Sequence, residues 1–396
     1  MSRDTWNSGT SYGLMIYKLI MWPLGLWPLN RGSVFSEIRL FLAAITQAST
    51  CICLHIEMWL NCQGLEDILD IFVLSVFSLL ACIKGLIVRF HQEKMYCNVS
   101  SAIEDWFALP LSNNLENRKI MMKHARISRI VCISLMAPAS GGTLSWIIFA
   151  LPLPMFIPEN YTDVLRNYPL QTACTFQSIT FTGFYHIIFV IQIYQLITTC
   201  LGNCGNDVFF FGLAIHVCGQ LEILKNEFRR LKTTHNKIED QKIFQNLVQR
   251  HSHLMSLIYK LESSFNLVIL AQLIMSGILI CIMGLQVIIA LKTKNLFAGI
   301  KALVVLSSLM SQLFLYSYGG DYLTSQCEDI ALAVYESPWH KSSTKKIKDI
   351  QFIILRAEKL IYVTAGKFFC MTLGTFMDII KLSVSYMSVL RVAVDV

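Results

Sequence analysis

Three long runs without a single Asp, Glu, Lys or Arg most constrain what this chain can fold into: Val131–Ile157, Asn167–Asn206 and Ser263–Leu291. A helix on the surface of a soluble protein keeps one polar face toward water, and these runs have no charged face to offer. About 20 apolar residues cross the hydrocarbon core of a bilayer, and each run is longer than that. Only 15% of the 396 residues are charged, against roughly 25% in soluble domains. The expected fold class is an all-α membrane protein.

Seven transmembrane helices are read from the pattern: Leu40–Ile56, Ile71–Val88, Ile130–Leu151, Ser178–Leu201, Phe265–Leu291, Leu296–Tyr318 and Thr364–Val392. The apolar stretch Val208–Gln220 is too short to cross separately and is read as the fourth helix continuing beyond the membrane. Lys and Arg set the orientation, because cytoplasmic loops are enriched in them. The N-terminal arm and the loops after spans two, four and six hold 23 of them. The opposite side holds five: Arg166, Lys292, Lys294, Lys301 and Arg391. The N-terminus is therefore placed in the cytoplasm and the C-terminus outside. The net charge of +7 lies on the inner face, where anionic lipid attracts it. The lipid bilayer accounts for this basicity, and no nucleic acid is required.

Between Leu221 and Leu261 apolar residues recur at mostly helical spacing. Spans four and five are expected to extend into the cytoplasm as amphipathic helices forming an anchor region, joined by Lys232–Gln241. Their apolar faces are expected to pack between subunits. Asn160, in Asn160-Tyr161-Thr162 of the second outer loop, is a glycosylation candidate, whereas Asn98-Val99-Ser100 falls inside. Most of the 13 cysteines lie in apolar runs and read as small hydrophobes. For Cys62 and Cys174, both in outer loops, a bridge and two free thiols remain open. No CxxC, HExxH or zinc-spaced cluster occurs, so no metal, cofactor or catalytic residue is expected, and the chain does not read as an enzyme. The plan is inverted relative to G-protein-coupled receptors. It lacks Asp-Arg-Tyr after span three and Asn-Pro-x-x-Tyr in span seven, so no G protein is required.

The C-terminal third carries a motif set: Gln312-Leu-Phe-Leu-Tyr-Ser-Tyr-Gly-Gly-Asp321, Ala333-Val-Tyr-Glu-Ser-Pro-Trp339, Val363-Thr-Ala-Gly-Lys-Phe-Phe369, Thr375-Phe376, and Ser383-Val-Ser-Tyr386 followed by Val389-Leu390. Together these closely resemble the insect odorant receptor family, over about the last 85 residues, with the inverted seven-span plan covering the remainder. The resemblance is to the odorant-specific subunit, since the longer co-receptor has a much larger loop between spans four and five. It implies an odorant-gated, non-selective cation channel at the plasma membrane of a sensory dendrite. In that family the odorant-specific subunit assembles with a co-receptor subunit into a heterotetramer, and the seventh helices line the pore. A membrane transporter and a seven-span receptor without its own pore are the alternative readings.

The resemblance places the gate at Val389 and, one turn onward, at Ala393, with Ser385 in the pore. Asp378 and Lys381 are three apart, on one helical face, and able to pair; a structural and a conduction role weigh equally. On span three, Ala139, Gly142 and Trp146 also share a face. Two small residues leave space beside an aromatic wall, which suits a small apolar volatile held by shape and dispersion. Phe184, Tyr185 and Ile188 on span four and Phe77 on span two are expected as further walls. Met21–Pro28, with Trp22 and Trp27, resembles the family's interfacial N-terminal segment, where aromatic side chains anchor at the headgroups.

Overall fold

The structure is a computed structural model, and it describes residues 6–60, 64–111, 115–150, 168–170, 172, 175, 182–231, 237–339, 344–359 and 361–393. Asn160, Cys62 and Cys174 lie outside the described residues. The chain forms α1 (Ser8–Met21), α2 (Val34–Leu60), α3 (Leu65–Phe90), α4 (Gln92–Leu111), α5 (Leu115–Ala150), α6 (Thr182–Arg229), α7 (Lys237–Thr293), α8 (Leu296–Tyr335), α9 (Thr344–Ala357) and α10 (Leu373–Ala393). A two-stranded hairpin, β1 (Thr364–Ala365) and β2 (Phe369–Cys370), precedes α10.

Six of these helices, α2, α3, α5, α6, α7 and α8, are long and apolar enough to cross a membrane. The seventh span is α10, with 21 residues. It is less apolar because Asp378, Lys381 and Arg391 interrupt it. At 1.5 Å per residue, the 48 residues of α6 and the 57 of α7 extend about 72 and 86 Å, far beyond a hydrocarbon core about 30 Å thick. Val208–Gln220 indeed continues α6 without a break.

Much of the apolar face of each extension is covered within the chain itself. Leu221, Leu224 and Phe228 of α6 and Leu254, Leu257, Ile258 and Leu261 of α7 are all buried within the single chain. The sequence reading missed the partners: α1 and α4 fold back onto α6, α4 also onto α7, and α9 packs on α8. For these seven residues the cover comes from the chain itself, while Ile238, Ile243 and Tyr259 of α7 stay exposed. The helix α1 packs against α6 through Leu14, Tyr17 and Met21. Trp27 is not an interfacial anchor: it is 1% exposed, with its ring 6.0 Å from that of Phe209. Trp22 is exposed, with the Arg39 guanidinium 4.1 Å from its ring centroid. Asn98 is buried in α4, its amide donating to the Lys94 carbonyl at 3.1 Å.

Outside the membrane-spanning segments, Asp105 ties α4 to both extensions. His216 Nε2 donates to its carboxylate at 3.1 Å, and the Arg250 guanidinium binds the other oxygen. Burial pushes this carboxyl's pKa up, but His216 and Arg250 together hold it below the ordinary range.

Span seven begins later than its composition suggests. Thr364–Thr372 counts as apolar, yet Gly366 and Lys367 both take positive φ, at 58° and 64°, and Phe368 N–H closes the turn on the Ala365 carbonyl at 3.0 Å. Glycine takes such angles without strain, and the turn breaks any helix here. Lys367 is therefore a turn residue outside the span. Gly366 N–H donates to the Asn266 carbonyl at 2.8 Å, pinning the hairpin to α7. Thr372 Oγ1 then accepts from Thr375 N–H at 3.2 Å, capping α10.

Candidate ligand cavity and seventh helix

A cavity of about 180 Å³ opens among α3, α5, α6, α7 and α8. Four helices each present one stripe at spacings of three and four residues. These are Asp70, Val73, Leu74 and Phe77 on α3, and Ala139, Gly142, Thr143 and Trp146 on α5. The others are Leu196, Thr199, Cys200, Asn203 and Cys204 on α6, and Lys301, Val304, Val305, Ser308 and Gln312 on α8. Met283 of α7 closes one side and Pro138 another. The walls are mostly apolar, with few polar groups, as in small-molecule sites.

The structure brings Trp146, Gly142, Ala139 and Phe77 together on this cavity. It does not bring Phe184, Tyr185 or Ile188. Phe184 is exposed, and Tyr185 is buried in a separate cluster with Phe189 and Tyr168. Because α6 starts at Thr182, these residues sit on its first two turns, while the cavity stripe starts two turns deeper at Leu196. The depth along the charge-free run was misjudged because the run extends well upstream of the helix.

The polar members of the cavity were missed. Asp70 and Lys301 pair through Asp70 Oδ2, and Gln286 Nε2 donates to Asp70 Oδ1 at 3.2 Å. Lys301, counted above with the charges of the outer side, lies on the cavity wall within α8. The stripe Lys301, Val304, Val305, Ser308, Gln312 was the available signal. At the opposite end, Gln312 Nε2 donates to Cys204 Sγ at 3.2 Å, and Gln312 Oε1 accepts from Gln272 Nε2 at 2.7 Å. Asn203 Nδ2 donates to the Phe77 carbonyl at 2.6 Å.

Behind this end lies an ion pair with no solvent exposure on either side chain, Lys84 to Asp207 at 2.6 Å. Tyr316 of the C-terminal motif donates its hydroxyl to the same Asp207 oxygen, and Lys84 also reaches the Asn203 carbonyl at 3.3 Å. Ions this deep require partners, and the motif tyrosine is one. Its neighbour Tyr318 stacks between Phe314 and Tyr322, at centroid distances of 5.7 and 5.9 Å. Gly320 allows a close backbone approach: a Cβ there would stand 2.6 Å from the Met371 carbonyl oxygen. The motif thus joins α8 both to the buried pair and to the lead-in of α10.

The helix α10 packs on α7 and α8 by one side only. Ser383 is buried, its carbonyl accepting from Cys281 Sγ at 3.3 Å, and the Phe376 ring lies edge-on to Phe314 at 5.7 Å. The opposite side carries Asp378, Lys381, Ser385 and Val389, all exposed on the single chain. Asp378 and Lys381 do pair, at 3.9 Å, but with side chains 78% and 73% exposed. Ala393 is the last residue of the helix.

Comparison with known proteins agrees with this architecture. The fold matches that of the insect olfactory receptor OR5 from Machilis hrabei with a TM-score of 0.74 at 18% identity, covering 95% of this chain and 97% of that one. The structure of the same receptor in complex with eugenol matches with the same score at 17% identity, covering 98% and 100%. In sequence, the chain is 32% identical to odorant receptor 13a of Drosophila melanogaster over 193 residues, which is 44% of this chain and 46% of that protein. It is 21% identical to odorant receptor 10 of Aedes albopictus over 344 residues, covering 82% and 85%. The chain thus spans about half the length of the first of these relatives. The family model described as 7tm Odorant receptor matches residues 64–384, reaching far upstream of the C-terminal motifs. The chain is a multi-pass membrane protein that belongs to the seven-transmembrane odorant receptor family, a family of receptors rather than enzymes.

Proposed function

We propose that this chain is the odorant-specific subunit of a ligand-gated, non-selective cation channel at the plasma membrane of sensory dendrites. A small, mainly apolar volatile occupies the cavity between Trp146, Gly142, Ala139 and Phe77, and the pore is lined by α10 together with those of a co-receptor in a heterotetramer. The observation that carries this reading is the one-sided packing of α10. A charge pair more than 70% exposed on a membrane helix is costly against lipid and acceptable against water. A water path between subunits gives Asp378, Lys381 and Ser385 that surface. Near the outer end, Val389 is an apolar side chain exposed on this face, where a ring of such residues can close by dewetting; Ala393 is the second gate position that the family resemblance assigns. The eugenol complex of the Machilis receptor supports a small organic ligand for the shared fold.

The test is a recording from cells expressing this chain with and without the co-receptor during application of a panel of volatiles. A rapid cation current that needs both subunits is expected. Evoked transport without channel-like current, or a response that needs G-protein signalling, would overturn the reading.

A further inference from the structure

The outer end of the cavity carries a hydrogen-bond donor with capacity to spare. Lys301 is on the second turn of α8 and Asp70 on the second turn of α3. Their pair places an ammonium on the cavity wall, 5.9 Å from the Trp146 ring centroid. A lysine ammonium has three N–H donors. Among the described residues, only Asp70 accepts a hydrogen bond from it. Asp70 is 8% exposed and both its oxygens are engaged, one by Lys301 and one by Gln286. At the inner end, the Asn203 amide spends both hydrogens on the Phe77 and Thr199 carbonyls, and Gln312 donates to Cys204 Sγ.

Resting on the reading of this cavity as the odorant site, we propose that Lys301 is its polar anchor. The chain selects neutral odorants that carry a carbonyl acceptor, such as an aldehyde or ester, over both hydrocarbons and carboxylates. A hydrocarbon that expels water leaves the remaining ammonium donors unpaired, which is unfavourable in a buried site. A carboxylate brings a second anion beside Asp70, which already neutralises the lysine, and a surplus buried charge is costly. A carbonyl accepts from the ammonium and adds no charge, while its alkyl body lies along Val304, Val305 and Phe77.

The test uses octanal, hexyl acetate, nonane and octanoate on the full chain expressed with the co-receptor. Half-maximal concentrations are read from currents, and binding is read from the ligand-induced rise in unfolding temperature of the purified complex. Wild type should favour the two carbonyl compounds over nonane and octanoate by about tenfold or more. Lys301→Met should bring the preference over nonane close to unity, weakening the carbonyl compounds and strengthening nonane, and Lys301→Arg should retain it. Asp70→Asn should improve octanoate selectively. Should Lys301→Met fail to reach the surface, Lys301→Met combined with Asp70→Leu removes both charges and must abolish the preference over nonane. Preferential binding of the carbonyl compounds without any current would uphold the anchor and sink the channel reading. Failure of wild type to prefer them in binding, or an undiminished preference in Lys301→Met or in the double variant, would overturn the anchor.

Discussion

Trp146 is the largest side chain on the cavity wall, and its indole lies beside the one ammonium described there. Truncation to alanine removes much of an apolar surface whose shape does the selecting. Trp146→Ala should shift half-maximal odorant concentrations by about tenfold or more, with surface expression close to wild type. Unchanged curves for several active odorants would reassign Trp146 to helix packing. Lys84 and Asp207 carry a different kind of consequence. Removing one member strands the other in a site without water, at a cost of about 3–5 kcal/mol. Lys84→Met should therefore sharply lower the unfolding temperature and yield of the purified protein. Lys84→Met combined with Asp207→Leu should recover much of the loss. If the double variant is no better than the single one, the two charges are not energetically coupled.

At the scale of elements, the hairpin and α10 act as a unit. Gly320 lets the Met371 backbone sit against α8, so a methyl group there must displace a carbonyl rather than a flexible side chain. Gly320→Ala should cost about 1–3 kcal/mol and alter gating, measured as a changed basal current per surface receptor. A wild-type channel in every respect would mean that α10 is not positioned through this contact. The hairpin also shows where sequence reading ran out. Long charge-free runs announced the spans, and the regular stripe from Ala139 to Trp146 was visible as a helical face. The start of α10 was not visible, because Thr364–Thr372 is apolar by composition and only the Gly366-Lys367 turn breaks it. Asp70 and Lys301 were hidden for a related reason. Charges at the ends of spans are ordinary in the headgroup region, and only the fold shows that these two turn inward. Phe184, Tyr185 and Ile188 looked equivalent to cavity residues because periodicity gives a face but no depth.

For the whole molecule, the charge asymmetry and the odd number of spans put the two termini on opposite sides. An epitope tag after Val396 should stain on intact cells, and one before Met1 only after permeabilisation; the reverse pattern would invert the topology. The cytoplasmic core built from α1, α4, α6, α7 and α9 includes the Asp105 network. Because the folded carboxyl titrates below its ordinary value, its contribution is present at neutral pH. That contribution is lost only as pH falls below the usual carboxylate range through the folded value. The ligand cavity and the exposed face of α10 meet through α7 and α8, which contact both. The account therefore requires that α10 itself borders the ion path. Ion selectivity of Val389→Glu and Val389→Lys, each expressed with the co-receptor and shown to reach the surface, tests this most directly. A polar ring keeps a constriction wet, so both should alter basal current or selectivity, with glutamate and lysine moving cation permeation in opposite directions and only partly, since the co-receptor supplies the rest of the ring. If both variants conduct with wild-type selectivity, block and basal current, Val389 does not face the pore and the account of α10 is wrong.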